Sequence, residues 1–280
     1  MGLGDYLQLG FVQHALIAGG LVAIISGLIG PFVITRRAAF AVHGTAELSF
    51  TGAAAGLVVA DDAVGGALIG SIVVAAAIGV LGVRERERDS AIGVILAFGL
   101  GAGVFLLSHY HGFTNSATSI LFGSIFTVSD DQIWLLLAVA GGVLVTMAVL
   151  YRPLLFASVD PDVAEARGVR GRLVGLAFLV VLALTVTEAA QIVGTLLVLS
   201  LAITPAAAAQ RLSARPAVVT GLSILFALVS SLGGLIASLE TPSVKASVWI
   251  TTISFALYVL ARVAGARVIV RRRVVAPAPA

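Results

Sequence analysis

Long apolar runs separated by short polar segments make up most of the chain. A helix needs about 20 residues to cross the hydrocarbon core of a bilayer, and most of these runs approach that length. The pattern therefore predicts an all-α polytopic membrane protein with about eight or nine transmembrane helices. The predicted spans cover residues 11–35, 40–60, 64–83, 91–108, 134–151, 173–186, 192–209, 217–237 and 248–264, and a shorter apolar stretch at 117–128 follows a loop at 108–115.

Composition supports this class and excludes several others. Of the 280 residues, 59% are hydrophobic and 11% are charged, whereas soluble domains average roughly 45–50% apolar and about 25% charged residues. The chain is therefore neither a soluble globular enzyme nor a disordered protein. Because it contains no cysteine, disulfides and thiolate metal ligands are excluded as well.

The placement of arginine predicts the orientation in the membrane. The formal net charge is only +3, and the positive residues form short clusters between apolar runs, which is a topology signal and not a nucleic-acid footprint. If the spans alternate, all clusters fall on one side, which we expect to be cytoplasmic together with the C-terminus. The side of the N-terminus depends on whether one stretch is re-entrant. The clusters are Arg36/Arg37, Arg84/Arg86/Arg88, residues 152–172, Arg211/Arg215 and residues 267–273, and the opposite loops hold Asp61, Asp62, His109, His111, Asp130, Asp131 and Glu240.

His43 and Glu47 form the strongest candidate for chemistry. They lie four residues apart, so an imidazole and a carboxylate share one face of a helix that also carries Thr45, Ser49 and Thr51. Ionisable groups at membrane depth are costly and usually face a cavity or a partner. Imidazole and carboxylate together suit Zn²⁺, Mn²⁺ or Fe²⁺. The alternative interpretation is a pair that satisfies itself between helices.

The remaining polar residues of the apolar runs give weaker signals. His109 and His111 flank Tyr110 in an outer loop and could bind a metal at an entrance, although loop histidines are more often solvated. His14, near the start of the first span, favours an interfacial role. Glu188 and Gln191 either line a pathway or cap helix ends at the membrane interface, and the sequence favours the interface.

The longest hydrophilic stretch, residues 152–172, contains the signals of a short helix. Asp160 can cap a helix that Pro161 opens, Asp162 and Glu165 favour its positive end, and Gly168 can terminate it after Arg167. A short amphipathic helix on the cytoplasmic face is typical of a docking element, and the alternative is a connecting loop. The chain has no phosphate-binding glycine-rich loop, so any ATP-driven motor must be another subunit.

Several short motifs, in this order and spacing, resemble a known family across nearly the whole chain. That family comprises the permease subunits of ABC importers for zinc, manganese and iron. The motifs are Arg36-Arg37-Ala38-Ala39-Phe40, Asp89-Ser90-Ala91-Ile92-Gly93, Leu121-Phe122-Gly123-Ser124-Ile125, Tyr151-Arg152 followed by Asp160-Pro161, and Val193-Gly194-Thr195-Leu196-Leu197-Val198 continuing to Pro205-Ala206.

The resemblance implies a type II, vitamin B12-importer-like ABC permease fold and a set of partners. Two permease copies would form the pathway, with two ATP-binding subunits on the cytoplasmic side and a metal-binding protein or lipoprotein outside. The segment after Asp160-Pro161 corresponds to the coupling helix of the family. The family usually has an aspartate and, four residues later, a histidine that contact the metal. Here His43 and Glu47 hold those positions in reversed order, and Thr51 replaces a proline that often follows.

The sequence thus predicts the membrane subunit of a divalent-metal ABC importer in the cell membrane, which is not itself an enzyme and holds no permanent cofactor. The transported ion would be Mn²⁺ or Zn²⁺. Residues 1–266 would form one permease domain, and residues 267–280 a basic, disordered cytoplasmic tail. The alternatives are an ABC permease for a metal chelate or organic solute and, with less support, a secondary metal transporter.

Overall fold

The computed structural model describes residues 8–81, 85–109, 125–195, 198–241 and 244–275. Within these ranges the chain is almost entirely helical and has no strand. The all-α prediction is therefore confirmed. The helices are α1 (Gly10–Thr35), α2 (Ala39–Ala60), α3 (Ala63–Leu81), α4 (Glu85–Ser108), α5 (Asp130–Val159), α6 (Pro161–Ala166), α7 (Gly171–Val193), α8 (Val198–Ala202), α9 (Thr204–Leu212), α10 (Pro216–Glu240) and α11 (Ala246–Val275), with a 3₁₀ turn at Ile125–Thr127.

Seven of these helices are long and apolar enough to cross a membrane: α1, α3, α4, α5, α7, α10 and α11. Helix α2 has 22 residues, which is also a spanning length. It falls outside the seven because His43, Glu47 and several hydroxyl side chains lower its hydropathy. The described ranges thus hold eight helices of spanning length, as expected for a multi-pass membrane protein.

One predicted span, residues 192–209, is wrong as a single helix. Helix α7 continues to Val193 and ends at Gly194, whose φ of +98° leaves the helical region. The chain then forms two short helices, α8 and α9, which are separated at Ile203. Pro205 explains the break, because proline has no N–H and its ring clashes with the carbonyl four residues earlier, that of Leu201.

Three further helices extend beyond their predicted bounds. Helix α7 exceeds the predicted span 173–186 at both ends, and α5 continues to Val159, into the segment expected to be polar. Helix α11 continues to Val275, through the basic run expected in a disordered tail. Residues 82–83 of one predicted span, 117–124 of the short apolar stretch, 196–197 and 276–280 lie outside the described residues.

Helix α1 lies at the centre of the bundle and packs against α5, α7, α9 and α10. Its approach to α10 is very close, because a Cβ added to Gly27 would lie 2.6 Å from the Cα of Ile224. On one side, α2 packs chiefly against α3 and α4, and we call these three helices the α2–α4 group. On the other side α9 packs chiefly against α10 and α11, and these form the α9–α11 group.

Helices α2 and α3 cross at paired glycines. A Cβ on Gly52 would lie 2.5 Å from the carbonyl oxygen of Gly66, and one on Gly70 would lie 2.5 Å from the Cα of Gly52. A Cβ on Gly56 would likewise lie 2.7 Å from the Cα of Gly66. Small residues at four-residue spacing let membrane helices approach closely, so this crossing fixes the helix that carries His43 and Glu47.

Candidate metal-translocation site

His43 and Glu47 are brought together on α2, as their spacing predicted. Nε2 of His43 lies 3.2 Å from Oε1 of Glu47, and the two side chains are 34% and 18% exposed. Nδ1 of His43 is buried and has no hydrogen-bond partner among the described residues. The pair is thus partly accessible, and the imidazole keeps one ring nitrogen without a partner.

The imidazole of His43 borders a cleft of about 540 Å³. One wall of this cleft is the first turn of α2 and the other is the break between α8 and α9. The lining residues are Ala39, Phe40, His43, Leu199, Ser200, Ile203 and Thr204. The cleft is mainly apolar, with an imidazole on one wall and two hydroxyl side chains on the other, and its size exceeds that of a bare ion.

The hydroxyl groups near His43 on α2 are used within the bundle. Thr45 donates to the carbonyl of Ala41 at 2.6 Å, and Ser49 donates to that of Ala46 at 2.6 Å. Thr51 donates to the carbonyl of Gly99 at 2.7 Å and joins α2 to α4. These hydroxyls are engaged in hydrogen bonds within the bundle, and His43 and Glu47 are the ionisable side chains of α2.

Within the part of the chain that the structure describes, no three histidine, aspartate or glutamate side chains are close enough to hold one metal ion. His43 and Glu47 together offer two side chains of the kind that bind metals. A Zn²⁺ site usually has four protein or solvent ligands, and Mn²⁺ sites favour octahedral oxygen-rich sets. An ion bound by this pair would need further ligands from other oxygen atoms, from water or from a second chain.

His14 and His109, the other two histidines that the structure describes, do not line this cleft. His109 is exposed at the end of α4, where its Nδ1 lies 3.0 Å from the carbonyl oxygen of Phe105 and its ring packs on the ring of Phe105. His111 lies outside the described residues. Nε2 of His14 lies 3.1 Å from Oδ1 of Asp130, so His14 joins α1 to the start of α5, which agrees with a structural role near the end of the bundle.

Glu188 is in the interior of the protein, so the preferred interface interpretation was wrong. It lies inside α7 and is 2% exposed. Oε1 of Glu188, Oγ1 of Thr187 and Nε2 of Gln191 are all buried and have no hydrogen-bond partner in the described part of the chain. Spacings of three and four residues place Gln191 on the same side of α7 as the other two. The predicted span ends at residue 186, so the sequence prediction places these residues beyond a helix end, whereas α7 continues to Val193.

The predicted short helix after α5 is confirmed as α6. Oδ1 of Asp160 accepts a hydrogen bond from the amide of Val163 at 3.1 Å, Pro161 is its first residue, and Gly168 follows it with a φ of +85°. Ala164 is buried, whereas the rest of α6 is exposed, including Asp162 and Glu165, as is Arg167 after it. The helix thus presents most of its surface outward from the bundle.

Arg36 connects the elements next to α6. Its Nη1 donates to Oγ of Ser158 at 3.3 Å, near the end of α5, and its guanidinium carbon lies 5.7 Å from the ring centre of Phe178 on α7. Because α6 directly follows α5 and precedes α7, this arginine ties the end of α1 to both neighbours of α6.

Comparison with known proteins decides the family. The model of the ABC 3 transport family matches residues 8–265. The chain belongs to this family. The manganese transport system membrane protein MntC of Halalkalibacterium halodurans is 32% identical over 230 residues, which are 82% of this chain and 79% of that protein. MntC of Listeria innocua is 32% identical over 262 residues, 90% of this chain and 91% of the relative.

A solved structure confirms the fold. The chain is similar to a chain of PsaBC from Streptococcus pneumoniae in complex with Fab, with a TM-score of 0.82 and 26% identity, and the match covers 92% of this chain and 94% of that one. The expected family and the type II ABC permease fold are therefore confirmed, and the chain is a membrane permease subunit. Sequence analysis did not predict the α8–α9 break that forms one wall of the cleft. The Thr204-Pro205 pair inside an apolar run was the feature that could have indicated it.

Proposed function

We propose that this permease carries manganese into the cell as the membrane subunit of an ATP-driven importer. The observation that carries the proposal is the His43–Glu47 pair, whose imidazole borders a cleft between α2 and the α8–α9 break in a permease fold. The names of the relatives, which are manganese transport proteins, support Mn²⁺ over Zn²⁺ as the cargo. A carboxylate oxygen also suits Mn²⁺, while an imidazole suits either ion.

The transport site would be completed by a second copy of the chain. Each copy offers one imidazole and one carboxylate, so a symmetric dimer offers two nitrogen-bearing and two oxygen-bearing side chains. Such a site holds the ion with few protein ligands. This suits transport, because an ion must bind well enough to be taken up and weakly enough to leave.

Energy would come from a separate ATP-binding subunit that docks on α6. Its outward surface and its position between α5 and α7 support this role, and Arg36 offers a route by which a push on α6 reaches α1. The arginine clusters support a cytoplasmic position for α6 and the C-terminus. A metal-binding protein or lipoprotein would deliver the ion from the opposite side.

The test is ATP-dependent uptake of radioactive manganese by liposomes containing the permease, its ATPase subunit and the metal-loaded binding protein. We expect the His43→Ala/Glu47→Ala variant to lose uptake by a factor of about ten or more, since every 1.4 kcal/mol of lost ion stabilisation is tenfold. His109→Ala, a histidine outside the cleft, is the matched control and should retain uptake.

Normal manganese uptake by the double variant would exclude the proposed site. If the complex with the unmodified permease takes up zinc but not manganese, the same site is assigned to Zn²⁺. The volume of the cleft, about 540 Å³, and its apolar lining also favour a second candidate, a permease for a metal chelate. In that case transport of the chelate would be insensitive to the double substitution.

A further inference from the structure

The break between α8 and α9 gives the cleft a wall of a different kind from α2. Pro205 cannot donate a hydrogen bond to the carbonyl of Leu201, so the helical ladder is interrupted where the cleft begins. Irregular backbone at membrane depth is tolerated where it lines a cavity, and discontinuous helices of transporters often supply ion ligands there. The α8–α9 break is therefore a place where a further ion ligand can be expected.

Thr204 is the first residue after this break and it lines the cleft. Hydroxyls in the spanning helices commonly donate to the carbonyl four residues earlier, as those of Thr45, Thr185 and Thr252 do. For Thr204 the carbonyl four residues earlier is that of Ser200, which accepts a hydrogen bond from Oγ of Ser254 at 2.9 Å. Among the described residues, the Thr204 hydroxyl has no hydrogen-bond partner.

Ser200, the other hydroxyl of the cleft, is already engaged. Its Oγ lies 3.2 Å from Oγ1 of Thr251 on α11. The contacts of Ser200 with Ser254 and Thr251 hold the α8–α9 break against α11, so that the wall bearing Thr204 is fixed in place. Thr204 thus combines a hydroxyl oxygen that no described residue engages with a place in the same cleft as His43.

We propose that the hydroxyl oxygen of Thr204 is a further ligand of the transported ion, in the cleft that the imidazole of the His43–Glu47 pair also lines. The inference rests on the proposed function and deepens it. A neutral hard oxygen added to an imidazole and a carboxylate shifts the ligand set toward the oxygen-rich sets that suit Mn²⁺. Thr204 therefore contributes to the selection of Mn²⁺ over Zn²⁺ as well as to binding.

The test compares Thr204→Val, which removes the hydroxyl at nearly constant shape, with Thr204→Ser, which keeps it. Binding is measured on the purified permease by the loss of the electron paramagnetic resonance signal of free Mn²⁺. Uptake of Mn²⁺ and of Zn²⁺ is measured in the reconstituted complex. Thr204→Val should weaken Mn²⁺ binding on the order of tenfold and lower the ratio of Mn²⁺ to Zn²⁺ uptake, while Thr204→Ser should restore both.

Thr252→Val is the matched control, because the Thr252 hydroxyl is exposed on α11 and donates to the carbonyl of Val248. It should bind and transport like the unmodified chain. If Thr204→Val also behaves so while His43→Ala/Glu47→Ala is inactive, the Thr204 ligand is excluded and the proposed function stands. If the double variant transports manganese normally, the proposed function itself fails. A lowered melting temperature of Thr204→Val together with no rescue by Thr204→Ser would assign Thr204 a structural role.

Discussion

His43 has two ring nitrogens in different situations. Nε2 lies 3.2 Å from Glu47, whereas Nδ1 is buried without a partner among the described residues. A buried polar atom without a partner costs about 1–3 kcal/mol, so such atoms are rare unless water or a ligand satisfies them. The imidazole is thus held by one contact and available for another, which is the arrangement that a transient ion site requires.

Glu188 offers a test of the same principle where no ion site is proposed. Glu188→Met replaces a buried carboxyl, whose Oε1 has no hydrogen-bond partner among the residues that the structure describes, by an apolar side chain of similar length. We expect the free energy of unfolding to rise by about 1–3 kcal/mol, because the cost of burying an unsatisfied polar atom is removed. Thermal unfolding of the purified permease in detergent measures this as a higher melting temperature.

Thr185→Val is the control for this prediction, because the Thr185 hydroxyl is equally buried on α7 but donates to the carbonyl of Val181 at 2.8 Å. It should change the melting temperature little. A Glu188→Met variant that is less stable than the unmodified chain would show that Glu188 has a partner, such as bound water, that makes its burial favourable.

The sequence could predict the His43–Glu47 pair because one helical turn brings the two side chains together. It could not predict Thr204, whose relation to His43 depends on the packing of distant segments. The sequence prediction for Glu188 is wrong because the predicted span ends at residue 186, whereas α7 continues to Val193. Local spacing was informative, and tertiary contacts were not accessible to it.

At the scale of elements, the crossing of α2 and α3 leaves no room for a residue larger than glycine. Gly52→Ala would place a methyl group against the backbone of Gly66 and Gly70 and force the helices apart. Overpacking of this kind costs typically about 1–3 kcal/mol. We expect a corresponding fall in the melting temperature and, because α2 carries His43, reduced manganese uptake.

Gly101→Ala is the matched control on α4, since a Cβ there would have no neighbour within 4 Å. Alanine is a better helix former than glycine by roughly 0.5–1 kcal/mol, so this variant should be unchanged or slightly more stable. Equal effects of the two substitutions would mean that α2 and α3 are not held by close backbone contact.

The boundaries of α8 and α9 show why a hydropathy pattern finds spans but not breaks. The residues of Val198–Leu212 are apolar throughout most of their length, so they resemble one continuous helix. The backbone is interrupted by Pro205, and a single missing N–H is nearly invisible to hydropathy. The sequence thus predicted the spanning helices and the capped α6, while the element that completes the cleft required the three-dimensional structure.

At the scale of the whole molecule, α6 is the element through which the permease would receive work from its motor. Val163 is 43% exposed on α6 and contributes an apolar side chain to its outward surface. Val163→Asp should lower co-purification of the ATPase subunit about tenfold or more, because a charge would be buried against the partner. Size-exclusion chromatography of the complex measures the loss.

The fold of the permease should not change, since this side chain is exposed. Leu212→Asp, at an apolar residue of similar exposure, 40%, at the end of α9, is the control and should keep the ATPase bound. An ATPase subunit that still binds the Val163→Asp variant with full affinity would contradict docking on α6.

The cleft has one wall in the α2–α4 group and the other at the break that leads into the α9–α11 group. Movement of one group relative to the other must change the separation of His43 and Thr204, whereas movement within a group need not. If both residues bind the ion, thermodynamic linkage makes the effect reciprocal. A movement that weakens binding tenfold is opposed by the bound ion to the same extent, about 1.4 kcal/mol. The transported ion would then act as a cross-link between the two helix groups of its own carrier. Each ATP-driven cycle would have to separate the groups before the ion is released.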